Sequence, residues 1–259
     1  MIYKCLPQKV SRIWGSLPPK AVAEEPVGEI WWFFEKTILV DNLGNTSVAH
    51  DFFDKNSFPL IIKTLHTARD LSVQVHPGKN RQAPLKDESW IVLDGDGFVR
   101  HGVKEGTTQE QFKEAVEAGL VENLLLEFKG KPNEIIDLPA GTIHALGKGL
   151  TVLEVQVNCT ITYRLWDYNR SGLDGKLRDL HVEDGLKSIN WEKLGRAEIV
   201  QGLALDTEYY SITRKDAGII IMKPFEIIFD PDKSVCFFAD SSGGKFESKN
   251  HFWLIGIKK

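Results

Sequence analysis

The sequence predicts a mainly β protein with one helical insertion, and three patterns in its 259 residues support this fold class. Most of residues 27–100 consists of short strand-like runs that are separated by turn residues. The spacing of apolar residues changes to a helical period over residues 107–128. Polar and apolar residues then alternate strictly from Glu154 to Leu165, as they do in a strand whose two faces differ.

The composition excludes several classes of protein. With 42% hydrophobic and 26% charged residues, the chain is neither disordered nor fibrous. It has no apolar run near the roughly 20 residues of a membrane helix and no signal-peptide segment at its start, so we expect a cytoplasmic protein without a membrane partner. A net charge of −4 argues against nucleic acid. The three cysteines form no C-x-x-C pair, so neither a disulfide framework nor a thiolate zinc site is expected.

The predicted strands follow one another along both halves of the chain. Thr37–Val40 and Ile91–Leu93 each precede a turn rich in Asp, Asn and Gly. Strand-like sequence resumes at Glu134 and continues to about Trp166, and a second β-rich stretch runs from Ala197 to Lys259.

Two helices interrupt this β pattern. Thr108 and Gln111 have the spacing of a capping box, and apolar residues such as Phe112 and Val116 follow at helical spacing. These signals predict a helical insertion at about 107–130. A second helix is predicted over Val182–Ile189.

An amide and an imidazole share one face of a predicted strand in the stretch Leu71–Pro77. Successive side chains of a strand point to opposite faces, so Ser72, Gln74 and His76 lie together. A polar face of this kind suits the inside of a barrel that holds a ligand.

Two later segments add metal-ligand side chains at strand ends. Glu88 shares a strand face with Lys86 and Trp90, and the turn Pro-Ala-Gly delivers His144 to the start of another strand. Two imidazoles, a carboxylate and an amide are ligands for a divalent transition metal, with open positions for water or substrate. For the remaining histidines a structural role is the better interpretation; these are His50, His66, His101, His181 and His251.

The alternating segment from Glu154 to Leu165 would be about 40 Å long as one strand, so we expect a bend or break within it. Its polar face could lie in water on a half-exposed strand. That face, however, is mostly neutral and carries one acid, Glu154, and one base, Arg164. The wall of a barrel that holds a polyhydroxylated ligand explains this composition better.

In their order and spacing, these segments resemble the type I mannose-6-phosphate isomerases, a family of the cupin superfamily. P-x-G-x-x-H occurs in cupins generally, whereas the combination of Q-V-H-P, K-x-E-x-W and a Tyr-Arg segment is specific to this family. The matching segments, over about residues 10–190, are Arg12–Gly15, Phe58–Lys63, Leu71–Pro77, Lys86 to Trp90, Pro139–Ala145, and Thr162–Arg164 continuing to Asp167 and Arg170.

The resemblance implies a mainly β bicupin fold of two β-jelly-roll units, and metal-dependent interconversion of mannose 6-phosphate and fructose 6-phosphate through an enediolate. The implied cofactor is one Zn²⁺ per chain, with another divalent transition metal as the alternative. Its implied ligands are Gln74, His76, Glu88 and His144.

The resemblance also implies an active site beside the metal, formed by Lys86, Glu154 and Arg164. Glu154 is expected to be the base or a proton relay, or else to orient a ligand histidine. Arg164 would stabilise the enediolate or bind phosphate, with a salt bridge to Asp167 or Glu154 as the alternative. Lys86 would contact phosphate or a hydroxyl group. Trp90 would pack against the sugar, or else belong to the core.

On this basis we expect a catalytic cupin domain over residues 1–190 and a smaller C-terminal β domain over residues 191–259. The small-molecule partner would be a sugar phosphate, and the oligomeric state could be monomer or dimer. Gly78 and Lys79 replace the usual acidic pair after His-Pro. A cupin that binds a sugar or sugar phosphate without turnover therefore stays open as an alternative. A different metal-dependent cupin enzyme stays open as well, because two histidines and one carboxylate are also the ligands of non-heme iron oxygenases.

Overall fold

The fold is known from a computed structural model that describes residues 1–16, 25–54, 57–78 and 84–258. These residues form 22 strands and two α-helices, which confirms the mainly β class. The helices are α1 (Gln109–Glu117) and α2 (Val182–Ser188). Neither helix of this part of the chain is long and apolar enough to cross a bilayer.

The strands are short, and all pairings between them are antiparallel. In chain order they are β1 (Ile2–Cys5), β2 (Gln8–Ser16), β3 (Val27–Phe33), β4 (Ile38–Val40), β5 (Thr46–Val48), β6 (Leu60–His66), β7 (Val73–Val75), β8 (Glu88–Gly95), β9 (Phe98–Val103), β10 (Leu125–Lys129), β11 (Ile135–Leu138), β12 (His144–Leu146), β13 (Leu150–Val157), β14 (Tyr163–Trp166), β15 (Glu198–Val200), β16 (Ala204–Asp206), β17 (Tyr210–Lys215), β18 (Gly218–Met222), β19 (Glu226–Asp230), β20 (Val235–Ala239), β21 (Gly244–Ser248) and β22 (Phe252–Ile257).

Three large sheets pack in layers. The central sheet has seven strands in the order β15-β11-β8-β13-β6-β3-β2. A five-stranded sheet, β10-β9-β12-β7-β14, covers one of its faces, and an eight-stranded sheet, β16-β17-β22-β19-β20-β1-β4-β5, covers the other. A small sheet of β18 and β21 lies outside the eight-stranded sheet.

The central sheet is buried on both faces, and its strands show this in their sequence. In β6, Leu60 and Ile62 pack toward the eight-stranded sheet, whereas Leu65 belongs to the core shared with the five-stranded sheet. Strand β13 divides in the same way, with Leu153 on the first side and Val152 on the second. Because side chains alternate along a strand, each of these strands contributes to two separate cores.

The helical insertion is shorter than the sequence predicts. Thr108 and Gln111 form the expected capping box, and Phe112 and Val116 bury the inner face of α1 against the outer side of the five-stranded sheet. Beyond a 3₁₀ turn the chain re-enters the sheet as β10, which pairs with β9, so the expectation of helix to about residue 130 is wrong at its end. The second predicted helix is confirmed as α2.

The long alternating segment is broken, as its length predicts. Strand β13 ends at Val157 in the central sheet, and β14 begins at Tyr163 in the five-stranded sheet. The five residues between them therefore carry the chain from one sheet to the other, and the polar side of the segment continues along the space between the two sheets.

The division of the chain into residues 1–190 and 191–259 stays a prediction. The strand pairing connects the two ends of the chain. Strand β1 pairs with β20, with Cys5 opposite Cys236, and β4 and β5 extend the same sheet. The first strands of the chain thus complete the sheet that the last strands build.

A buried polar chain links the eight-stranded sheet to the central one. The hydroxyl groups of Tyr210 and Ser89 lie 2.8 Å apart, and Ser89 donates a hydrogen bond of 2.8 Å to Oδ1 of Asp137. Burial raises the pKa of Asp137 to about 6, and the nearby carboxylates of Asp87 and Glu198 act in the same direction.

We expect Asp137→Asn to stabilise the protein at neutral pH by about 1–3 kcal/mol, because the amide still accepts from Ser89 but carries no buried charge. Because the pKa of this acid is raised in the folded state, the free energy of unfolding falls as the pH rises from 3.8, the ordinary pKa of an aspartate, to about 6. Urea denaturation of both proteins across this range measures the difference, which should grow with pH. A difference that stays constant with pH would contradict the assignment.

Candidate metal centre

Three strands from two sheets bring the predicted metal ligands together. Gln74 lies in β7, directly opposite His144 at the start of β12, and His76 follows the end of β7. Glu88 is the first residue of β8 in the facing central sheet. The four side chains meet in the space between the five-stranded and central sheets.

The distances within this group are those of a ligand set. Nε2 of His76 lies 3.2 Å from Oε2 of Glu88, and Nε2 of His144 lies 3.3 Å from Oε1 of the same carboxylate. The amide nitrogen of Gln74 is 3.1 Å from Nε2 of His144. The ligand atoms of the two histidines and the glutamate all lie within 4.8 Å of one another.

Both histidines are held with Nε2 turned toward the ligand group. Nδ1 of His76 donates to the carbonyl oxygen of Ile161 at 3.0 Å, and Nδ1 of His144 donates to that of Thr142 at 3.0 Å. Nε2 of each ring is therefore the acceptor atom. Burial and the charge of Lys86 lower the pKa of His76 to about 3, and burial also lowers the pKa of His144. Both shifts favour the neutral form of the ring, which a metal ligand requires.

Glu88 supplies the negative charge of the site. Burial opposes its ionisation, but the positive charge of Lys86, whose Nζ is 2.8 Å from Oε2, keeps the pKa of Glu88 well below its usual range. Neither carboxylate oxygen accepts a well-oriented hydrogen bond within the described residues. A buried carboxylate in this state is suited to a cation. Two neutral imidazoles, one carboxylate and one amide thus fit a divalent transition metal.

A polar cavity of about 390 Å³ opens above the ligand group. Gln74 and Lys86 reach it from the ligand side. Even-numbered residues of the alternating segment form one wall, as its polar face predicts, and these are Glu154, Gln156, Thr160, Thr162 and Arg164. The interpretation of that face as the wall of a ligand-holding barrel therefore agrees with the structure.

Glu154 lies in the wall in a buried ion pair. Its Oε1 is 3.0 Å from Nζ of Lys63, and Trp90 donates its indole N–H to Oε2 at 3.2 Å. Burial and the charge of Glu88 raise the pKa of Glu154, although Lys63 opposes this. Lys63 also lies 3.8 Å from Glu29. Burial lowers the pKa of Lys63, but the carboxylates of Glu154 and Glu29 outweigh it and raise that pKa.

Sequence reasoning gave no role to Lys63, Glu29 or Arg12. Arg12 binds Glu29 through two guanidinium nitrogens, at 3.1 and 2.9 Å, and all three side chains line the cavity. The signal that could have found them is the single lysine inside the buried run Leu60–Leu65, since a lysine is almost never buried without a carboxylate partner.

Arg164 lies on the same wall and makes no ion pair within the described residues. Its Nη1 donates to the carbonyl oxygen of Asp179 at 2.8 Å, and its buried Nε has no hydrogen-bond acceptor there. Burial and the neighbouring Arg178 lower the pKa of Arg164. The alternative of a salt bridge to Asp167 is not observed, because Asp167 binds Arg170 and Arg178 instead.

Trp90 does not lie where a contact with the sugar would require it. Its side chain is fully buried, stands edge-on to the ring of His144 with centroids 5.3 Å apart, and donates to Glu154. Trp90 is not one of the described residues that line the cavity. The alternative interpretation, a tryptophan of the core, matches this position.

Comparison with known proteins gives a consistent result, although no protein-family model matches the chain. It is 40% identical over 140 residues to mannose-6-phosphate isomerase ManA of Bacillus subtilis, covering 51% of this chain and 44% of that protein. It is 36% identical over 181 residues to the probable mannose-6-phosphate isomerase GmuF of the same organism, covering 62% of this chain and 56% of that protein.

Solved structures match over the whole chain. The crystal structure of the mannose 6-phosphate isomerase from Bacillus subtilis has a TM-score of 0.80 and 20% identity, and covers 99% of both chains. A zinc-bound structure of a mannose 6-phosphate isomerase has a TM-score of 0.69 and 15% identity, with both chains covered completely.

The chain is thus similar to mannose-6-phosphate isomerases in sequence and in fold. This confirms the resemblance of the sequence motifs and the expected cupin fold. The aligned segments cover about half the length of the curated relatives that it matches. Of the two departures from the family pattern, Gly78 lies close to Ala140, and Lys79 lies outside the described residues.

We expect the purified protein to bind one zinc ion per chain, and His144→Ala to lose it, because the ring supplies one of the two nitrogen ligands. Metal analysis after dialysis measures the stoichiometry, and circular dichroism reports whether the variant folds.

The matched control is His101→Ala, which removes a half-buried histidine that lies opposite His144 in strand β9 but outside the ligand group. A folded His144→Ala protein that retains a full equivalent of zinc would contradict the ligand assignment.

Proposed function

We propose that this chain is a metal-dependent aldose–ketose isomerase that interconverts mannose 6-phosphate and fructose 6-phosphate. The observation that carries the proposal is one arrangement: a buried ligand group beside a polar cavity whose wall presents Glu154 and Arg164. The isomerisation needs a base that moves a proton between neighbouring carbons, stabilisation of the enediolate and an anchor for phosphate.

Gln74, His76, Glu88 and His144 are the residues that would hold one zinc ion. When bound, the ion supplies a Lewis acid that polarises the carbonyl group of the sugar. The family resemblance and the donor set of this chain support zinc.

Glu154 is the proton-transfer residue in this proposal. Because the pKa of Glu154 is raised, it lies nearer to neutral pH, and the carboxyl group can both accept and return a proton. Lys63 favours the ionised form that begins the reaction, and Trp90 fixes the direction of the second oxygen. Trp90 is thus a positioning residue rather than the sugar contact that the sequence suggested.

We expect Glu154→Gln to retain zinc and to lower kcat by about 10²–10⁴, the range for loss of a general base. The amide keeps the shape of the side chain but cannot take the proton. A coupled isomerase assay on protein of known zinc content measures this effect.

Glu247→Gln is the matched control, since Glu247 lies on the outer strand β21, away from the cavity, and should leave kcat unchanged. Full turnover by a zinc-loaded Glu154→Gln protein would remove Glu154 from the mechanism.

Arg164 and Lys86 are the candidate substrate contacts. Other cations of the cavity wall are paired: Lys63 with Glu154, and Lys86 with Glu88. Arg164 contacts a backbone carbonyl, and its buried Nε–H has no acceptor among the described residues, which makes it the better anchor for phosphate. Lys86, whose ammonium is 2.8 Å from both His76 and Glu88, is placed to contact a hydroxyl group beside the metal.

If Arg164 binds phosphate, Arg164→Ala should raise KM for mannose 6-phosphate and lower kcat/KM by about 10- to 100-fold, the loss expected for a charge-assisted hydrogen bond. Its effect on the slow turnover of unphosphorylated mannose should be small. Steady-state kinetics with both sugars measures the two effects.

A loss confined to kcat, and equal for both sugars, would instead place Arg164 at the enediolate. Unchanged kcat/KM would remove it from the site.

The reaction itself is tested by assaying the protein as purified, after chelation, and after zinc is added back. Activity that disappears on chelation and returns with zinc supports the proposal. A zinc-replete protein without isomerase activity would favour a sugar-phosphate-binding cupin, and oxygen consumption with iron would favour an oxygenase. The cytoplasmic location and the choice between monomer and dimer stay predictions.

A further inference from the structure

A second cavity, of about 360 Å³, lies on the opposite face of the central sheet from the candidate active site. The alternation of two strands shows this relation. Glu29 and Lys63 line the first cavity, whereas their neighbours Ile30 and Thr64 line the second. The second cavity thus lies between the central sheet and the eight-stranded sheet.

Polar side chains interrupt an otherwise apolar interface at this point. Thr64 and His66 follow the apolar residues Leu60 and Ile62 on the same face of β6. The hydroxyl group of Thr64 accepts from the indole N–H of Trp32 at 3.2 Å and lies 3.0 Å from Nε2 of His66. An interface built only for packing would continue the apolar pattern here.

Trp253 gives an independent sign of a missing partner. This side chain lines the cavity from β22, is fully buried, and has no hydrogen-bond acceptor for its indole N–H in the described residues. A buried indole N–H normally finds an acceptor, because leaving it without one is unfavourable. A ligand with an oxygen acceptor would satisfy it.

The charges around this cavity differ from those of the first. Asp94 and Asp232 stand exposed at its edge, with His251 3.8 Å from the carboxylate of Asp232. No Lys or Arg occurs among the described lining residues, whereas the first cavity has five. A phosphate group would therefore meet carboxylates without a cation to bind it.

We infer that this cavity binds an uncharged, polyhydroxylated molecule of about monosaccharide size. Trp32, Phe229 and Trp253 provide an apolar wall, and hydroxyl, imidazole and carboxylate groups provide hydrogen-bond partners for sugar hydroxyls. Its volume lies in the range of small-molecule sites, about 300–1,000 Å³. The inference does not depend on the proposed isomerase activity.

The seven tryptophans make the inference directly testable. In protein labelled with ¹⁵N at the indole nitrogens, Trp32 and Trp253 report on the second cavity, and Trp14 and Trp31 report on the first. The probes are D-mannose, D-glucose and D-mannitol at millimolar concentration, with inorganic phosphate as the charged comparison. Trp253→Phe assigns the key resonance.

We expect at least one neutral probe to shift the Trp32 and Trp253 resonances saturably, and inorganic phosphate to leave them unchanged. Asp232→Ala should weaken this binding about three- to tenfold through the loss of one hydrogen bond. Asp216→Ala, which removes an exposed carboxylate from the turn after β17, is the matched control and should bind as the parent does.

The inference is overturned if no neutral probe shifts these two resonances, or if only Trp14 and Trp31 respond. Equal shifts with inorganic phosphate would overturn the preference for an uncharged ligand. The affinity of the Trp253→Phe variant is measured from the Trp32 resonance. If this variant binds the probe as tightly as the parent protein, the indole N–H of Trp253 is not a ligand contact.

Discussion

The central seven-stranded sheet is the constraint on which the rest of the structure depends, because both of its faces are buried. Its inner strands β11, β8, β13 and β6 each supply one face to the core with the five-stranded sheet and the other to the core with the eight-stranded sheet. Lys63 and Thr64 are neighbours in the chain, yet they line cavities on opposite sides of the sheet. A shift of one residue in the pairing of β6 would exchange these two environments.

The carboxylates buried at the first cavity are compensated by neighbouring cations. Burial of an ion is costly, and each carboxylate there is accompanied by a lysine or arginine. Glu29 is held by Arg12 and Lys63, and Glu88 by Lys86. The chemistry that we propose depends on the places where this compensation is incomplete. Glu154 keeps a raised pKa despite its lysine, and within the described residues the oxygens of Glu88 accept no well-oriented hydrogen bond beside the contact with Lys86.

Strand pairing positions most of the ligand group, and the residues next to the strands complete it. His144 stands opposite Gln74 in the five-stranded sheet, and Glu88 begins a strand of the facing sheet. Backbone carbonyls of Ile161 and Thr142 fix both imidazole rings. The site is therefore organised before a metal binds, since neither histidine has to change the nitrogen that it presents.

The sequence alone determined the β class and the capped helix α1, and it predicted a candidate metal-ligand group, because alternation, capping and ligand chemistry are local properties. It also predicted the break after β13 from the length of a strand. Only the tertiary structure decided that Lys63 supports Glu154, that Trp90 lies behind it, and that a second cavity occupies the back of the sheet. These relations join residues far apart in sequence, and the packing of sheets, which no local pattern records, brings them together.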